Sequence, residues 1–176
     1  MDCSLSFIGE KVRLRALEPE DIDLLLDWEN DSELRSSSGS FQPISRKVLQ
    51  DYIESSHKTL FEIGQLRLII QSKEGPIVGA VDLYDFDAYQ RRVTIGIMID
   101  RKYRCHGYAK DAVNIVSEYV LEHLRLYQII AMVATINEAS CRLFEACKFE
   151  LVATLPKWQW IGKSYHDMVV YRKRGF

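Results

Sequence analysis

Between Asp100 and Ala112 the chain reads DRKYRCHGYAKDA, which sets Arg101, Lys102, Arg104, His106 and Lys110 around one glycine, Gly107. The β-branched run RVTIGIMI (Arg92–Ile99) precedes it and a run with helical periodicity follows, so a strand hands over to a helix here. A helix mouth carries unpaired backbone N–H groups and the positive end of the macrodipole, and it holds anions, phosphates above all. Gly107 lets backbone approach a ligand with no Cβ in the way. Arg104, Lys110 and His106 add positive charge, and the reading is a pyrophosphate cradle. The spacing fits neither G-x-x-x-x-G-K-[ST] nor G-x-G-x-x-G, which sets aside the two better-known phosphate loops. The plainer alternative is a surface turn in which Gly107 only eases the corner.

One strand later, NEASCRLFEACKF supplies Asn137, Ser140, Phe144 and Phe149. RCHGYA fits R/Q-x-x-G-x-G/A through Arg104, Gly107 and Ala109. On these two sites, in this order, the chain resembles the GNAT superfamily of acyl-CoA-dependent N-acetyltransferases. VRLRALEPED near the start, HGYA in the loop and YHDMVVY near the end make it most similar to the branch of ribosomal-protein N-terminal and spermidine N-acetyltransferases.

That resemblance implies one domain over residues 1–176 and acetyl-CoA as donor. It implies that Ile97, Met98 and Ile99 offer strand backbone to the pantetheine arm. Arg104, Cys105, His106, Gly107, Tyr108, Ala109 and Lys110 would wrap the pyrophosphate, and Asn137 would sit at a splayed strand end against the pantetheine. Asn137 also reads as a plain N-cap for the following helix. Many members place a tyrosine, which protonates the departing thiolate, where this chain has Phe144; a phenyl ring cannot do so, and Ser140 is the substitute the resemblance offers. Lys148 stands where the family usually has glycine, at a helix C-terminus that favours φ > 0. The acceptor would be a protein N-terminus, a polyamine or another small amine, and related enzymes are often dimers.

Acylation needs a neutral amine, whereas a free alkylamine has a pKa near ~10, so a carboxylate, a water relay or desolvation must remove a proton. The sequence offers Asp82 and Asp85 on the strand Ile77–Phe86, and Glu29 and Glu33 at the end of the first helix. Strand parity sets Asp82 with Val78, Ala80 and Tyr84, and Asp85 on the other face; resemblance to the spermidine enzymes favours these two. Each could equally be a solvated surface acid. Trp158, Trp160, Tyr165, His166 and Asp167 in the last hairpin read as core or as one wall of the acceptor pocket. That pocket is expected between the first helices, the Ile77–Phe86 strand and this hairpin.

The elements that must position these residues can be read in turn. Lys11–Ala16 alternates as a strand; a helix opens at Pro19; Ser45 caps a second over Arg46–Ser55. Strands follow at Gln65–Ser72, Ile77–Phe86 and Arg92–Ile99, then a helix over Gly107–Leu124, a strand at Tyr127–Thr135 and a helix at Glu138–Cys147. A hairpin, Phe149–Trp160 and Ser164–Arg172, ends the chain. The order β-α-α-β-β-β-α-β-α-β-β predicts an α/β (α+β) single domain with a mixed, splayed sheet of about seven strands and about four helices.

Composition narrows the functions. The chain has 176 residues, 47% hydrophobic and 27% charged, with no apolar run near the roughly 20 residues that span a bilayer. MDCSLSFIGEK has no signal-peptide pattern, and the expected location is the cytoplasm. A net charge of −2 argues against nucleic acid held by phosphate contacts. Cys3, Cys105, Cys141 and Cys147 have no metal or disulfide spacing, and no identifiable histidine activates one for an acyl-cysteine route. Residues 1–62 carry a balance of −6 and residues 63–176 one of +4, which points to an anionic ligand on the later part and a cationic one on the earlier. The expected reaction is direct attack of an amine on the thioester in a ternary complex, the oxyanion held by backbone N–H groups near Met98–Asp100. The competing reading is a degenerate acyl-CoA sensor without turnover, kept open by Phe144.

Overall fold

The structure, a computed structural model, describes residues 6–32, 34 and 42–175. Glu33 and the serine-rich stretch 36–40 lie outside the described residues. Seven strands form one sheet in the order β1-β2-β3-β4-β5-β7-β6. They are β1 (Val12–Ala16), β2 (Leu66–Ser72), β3 (Ile77–Asp87), β4 (Arg92–Ile99), β5 (Gln128–Ala134), β6 (Glu150–Ile161) and β7 (Ser164–Arg174). Every neighbouring pair is antiparallel except β4 with β5.

Among the described residues five helices cover the sheet: α1 (Ile22–Asn30), α2 (Arg46–Ser55), α3 (Leu60–Ile63), α4 (Tyr108–Glu118) and α5 (Glu138–Ala146). Alternation along the central strands feeds two cores. Leu68, Ile70, Val81, Leu83, Val93 and Ile95 pack with Val113 and Val116 of α4 and Phe144 of α5. Ile69 and Ala80 pack with Leu25 and Trp28 of α1 and Leu49 and Ile53 of α2. A strand buried on both faces reads as a near-continuous apolar run, which is how LRLII of β2 reads.

The feature that positions the site is the junction of β4 with β5. Their pairing spans only Arg92–Thr94 against Gln128–Ile130. Beyond it, Ile95–Ile99 keeps β3 on one side, while β5 continues against β7 as far as Ala134 opposite Met168. The two strands splay, and the β4 edge facing β5 carries no strand.

Several boundaries differ from the sequence reading, each for a local reason. The first helix begins as a 3-10 turn at Pro19–Asp21, closed by reciprocal bonds between Glu18 and Asp21. The helix over Gly107–Leu124 is regular only to Glu118 and finishes as a π turn, Tyr119–His123. α3, missed in sequence, is one turn held by a Thr59–Glu62 capping box and stopped by Gly64 at φ +72°. Ser45 caps α2 as expected, accepting from Val48 N. Lys148 does adopt the left-handed conformation, φ +64°, as Phe149 N bonds back to Phe144 O at 3.0 Å to close α5.

Candidate active site

At the mouth of α4 the chain turns through two left-handed residues, Cys105 (φ +65°) and Gly107 (φ +83°). The first intrahelical bond runs from Asp111 N to Gly107 O. Among the described residues nothing accepts from the N–H groups of Gly107 through Lys110, the groups a helix N-terminus leaves unpaired. Arg104 does not point away from the protein: its Nε donates to Ile99 O at 3.1 Å and ties the loop to the end of β4. Protonated Nδ1 of His106 donates to Arg104 O at 2.7 Å. Tyr108, Ala109 and Lys110 form the first helical turn, and the His106 ring stacks on Tyr108.

Two residues absent from the sequence reading build this cradle. Lys11 Nζ donates to His106 O at 2.8 Å and stands 3.0 Å from where a Cβ on Gly107 would fall. Asp111, in the first turn of α4, accepts through Oδ1 from Glu10 N (3.2 Å) and through Oδ2 from Lys11 N (2.7 Å) and Val12 N (2.9 Å). Gly9 allows that approach, for a Cβ there would overlap the Asp111 carboxylate at 2.5 Å. The start of β1 is thus stapled to the helix mouth. Only KDA following the glycine hinted at it, since an acid in a first turn usually serves its own helix.

Ile97, Met98 and Ile99 lie on the unpaired edge of β4, with Arg104 bonded at its end. Across the splay, Asn137 caps α5: its side chain accepts from Ser140 N at 3.1 Å. Ser140 is half-buried, and its hydroxyl makes no hydrogen bond to a described residue. Phe144 is 3% exposed and packs edge-on to Phe149, with ring centroids 5.1 Å apart. A phenol does lie beside it: the Tyr171 ring is 6.3 Å away, and its hydroxyl donates to Glu145 Oε1 at 2.9 Å. Burial, then the bonds to Glu145 and Cys141, pushes that phenol well up from its ordinary value.

On the opposite face of the sheet, α1, α2, β2 and β3 enclose a cleft of about 330 Å³. Glu29, Tyr52, Gln65, Arg67, Asp82 and Tyr84 line it beside Ile44, Val48, Leu49, Leu66 and Leu83. Asp82 is on the face shared with Ala80, as parity predicts, but Val78 packs into the core beneath α4. Asp82 is not a lone acid: Arg67 Nε donates to its Oδ1 at 2.6 Å and Nη2 to its Oδ2 at 3.0 Å, while Nη1 donates to Glu29 Oε1 at 2.6 Å. Burial alone would lower the Arg67 pKa, but Asp82 and Glu29 outweigh it and hold the guanidinium firmly charged. Burial, then Asp85 and Asp82, pushes the Tyr84 phenol up.

Opposite Asp82 on β4 stands Gly96. A Cβ there would lie 3.4 Å from Tyr84 Cε1 and 4.0 Å from Asp82 Cβ, so the Tyr84 ring covers the β4 backbone at Gly96. Asp85 falls outside: it occupies a bulge, φ +50°, where pairing slips between Tyr84 and Asp87. The last hairpin gives the cleft no wall. Trp158, Trp160 and Tyr165 are 59%, 46% and 60% exposed, neither core nor lining. His166 Nε2 pairs with Ser164 Oγ at 2.8 Å, and Asp167 accepts from Lys157 N at 2.8 Å.

The C-terminal turn of α1 touches both regions. Trp28 Nε1 donates to Asp100 Oδ2 at 3.2 Å, and Asp100 Oδ1 accepts from Lys102 N at 3.1 Å at the start of the cradle loop. The next residue, Glu29, holds Arg67 in the cleft.

Fold and motifs agree with comparison to known proteins. The acetyltransferase (GNAT) domain model matches residues 11–150, and the chain belongs to that acyltransferase family. It is 26% identical over 163 residues to the SPbeta prophage-derived uncharacterized N-acetyltransferase YokL of Bacillus subtilis, covering 93% of this chain and 89% of that one. It is 27% identical over 142 residues to the uncharacterized N-acetyltransferase p20 of Bacillus licheniformis, covering 80% of each. Among solved structures, spermidine N-acetyltransferase from Vibrio cholerae, in complex with CoA and spermine, superposes with TM-score 0.83 at 22% identity, covering 93% of this chain and 95% of that chain. A GNAT acetyltransferase from Bacillus anthracis superposes with TM-score 0.80 at 18% identity, covering 96% and 97%. These two share the fold. No helix among the described residues is long and apolar enough to cross a membrane.

Proposed function

We propose that the protein is an acetyl-CoA-dependent N-acetyltransferase that acts on a small primary amine by direct attack in a ternary complex. One observation carries the reading: the unpaired N–H groups at the mouth of α4 stand beside the strand-free edge of β4. The residues fit the donor. Gly107 in the left-handed region keeps Cβ out of the cradle, and Lys11, Arg104 and Lys110 supply positive charge near two phosphates. Arg104 to Lys110 would hold the pyrophosphate, Ile97 to Ile99 the pantetheine amides, and Asn137 the end of the splay. Acetyl-CoA, when bound, supplies the acetyl group as an activated thioester.

The chain's own residues then serve the amine. The cleft draws in a cation with Glu29 and Asp82. Asp82 is the acid placed to orient an ammonium, or to take its proton through water; Asp85, outside the cleft, is placed only to steer. Ser140, with an uncommitted hydroxyl at the start of α5, is placed to donate to a thiolate.

Release of free CoA thiol with a panel of amines tests the reading. Phe144, locked in the core, favours one alternative, an acyl-CoA sensor; CoA binding with no thiol release from any amine would establish that and end the transferase proposal.

A further inference from the structure

Resting on that reading, we infer that the acceptor is a monocationic amine with an apolar body, and that Arg67 is the residue that turns polycations away. Among the described residues the charges facing the cleft are Glu29, Asp82 and Arg67, a sum of −1. One ammonium balances it. A second would approach a guanidinium that is only 19% exposed and cannot withdraw, since three hydrogen bonds fix it and its Cζ lies 5.6 Å over the Tyr52 ring. Like charges brought together out of bulk water repel far more than on an open surface.

The other described lining residues carry no charge: Ile44, Val48, Leu49, Leu66 and Leu83, with the Tyr52 and Tyr84 rings and the neutral amide of Gln65. They offer a polyamine chain no carboxylate for its further ammonium groups, and they offer an alkyl or aryl body dry surface to cover. The cleft volume of about 330 Å³ is at the small end for ligand pockets, suited to a short body. The spermidine enzyme of Vibrio cholerae shares the fold at 22% identity. Among the described residues, the cleft of this chain has its two carboxylates already joined to one arginine.

The test uses the full chain and four probes: hexylamine, 2-phenylethylamine, putrescine and spermidine. Calorimetry on the protein, with and without CoA, should show the two monoamines binding at least tenfold tighter than spermidine, with thiol release in the same order. Glu29→Gln should weaken monoamine binding about tenfold and leave CoA binding alone. Because an Arg67 variant could fail to fold, the gain-of-function variant is Val48→Glu, at an exposed helix position on the cleft rim. It should raise spermidine binding severalfold without helping hexylamine to the same degree. Spermidine equal to or ahead of the monoamines in the unaltered protein, or a ratio unmoved by Val48→Glu, overturns the inference while leaving the transferase reading intact. The predicted binding order with no thiol release does the reverse: it supports the cleft assignment and removes the transferase reading.

Discussion

The ammonium of Lys11, at the edge of the sheet, lies 2.8 Å from the carbonyl oxygen of His106, 95 residues later in the chain. The bond pins the last loop residue before Gly107 and brings a positive charge to the helix mouth. Lys11→Met should raise the KM for acetyl-CoA severalfold, keep kcat within about twofold, and flatten the salt dependence of CoA binding. An unchanged KM and salt slope would show that the loop holds its shape without Lys11.

Gly107 and Arg104 separate backbone from side-chain recognition. Gly107→Val puts a β-branched residue at φ +83° and drives Cβ against Lys11; the left-handed conformation alone costs about 1–2 kcal/mol. Its CoA affinity should fall tenfold or more. Arg104→Ala loses a loop-to-strand bond and should fall much less. Titration calorimetry decides, and equal losses would make side-chain charge the main holder.

Ser140→Ala should lower turnover with CoA affinity unchanged, since hydrogen bonds of this type contribute about 3 kcal/mol, near a hundredfold in rate. Full turnover under conditions where chemistry limits the rate would rule the hydroxyl out.

Asp82→Asn should reduce the rate at neutral pH, with partial recovery as alkaline pH supplies neutral amine unaided. Because Arg67 then keeps Glu29 alone, a thermal melt must accompany the pH–rate profile. A profile matching the unaltered protein in shape and height would eliminate Asp82 as base or orienter.

Lys148→Gly should stabilise the fold by about 1 kcal/mol, because glycine accepts φ +64° without the Cβ clash. An unchanged or lower melting temperature would contradict it.

The sequence was most legible where a single residue type fixes local backbone. Arg92–Ile99 is a strand to the residue, Ser45 caps where it should, and Lys148 adopts the conformation inferred from family glycine. The Thr59–Glu62 box that makes α3 is present in T-L-F-E, but a single turn has no periodicity to mark it as a helix. What could not be read were long-range polar contacts. Asp111 bonds backbone about 100 residues away, and nothing in KDA tells which element its carboxylate meets. Asp82 lines the cleft, yet its partner Arg67 sits one strand back, visible only once the β2–β3 register is known. The hairpin aromatics misled for the converse reason: β6 is the sheet's last strand, so rings that alternate like core residues have no layer to meet.

Trp28 and Glu29, neighbours on one helical turn, hold the cradle loop through Asp100 and the cleft through Arg67. That turn therefore works as a gauge block: it ties the cradle loop and the cleft to one piece of helix. A change in helix pitch ahead of Trp28 would move both contacts together, so the two regions are coupled through α1 as well as through the sheet beneath them.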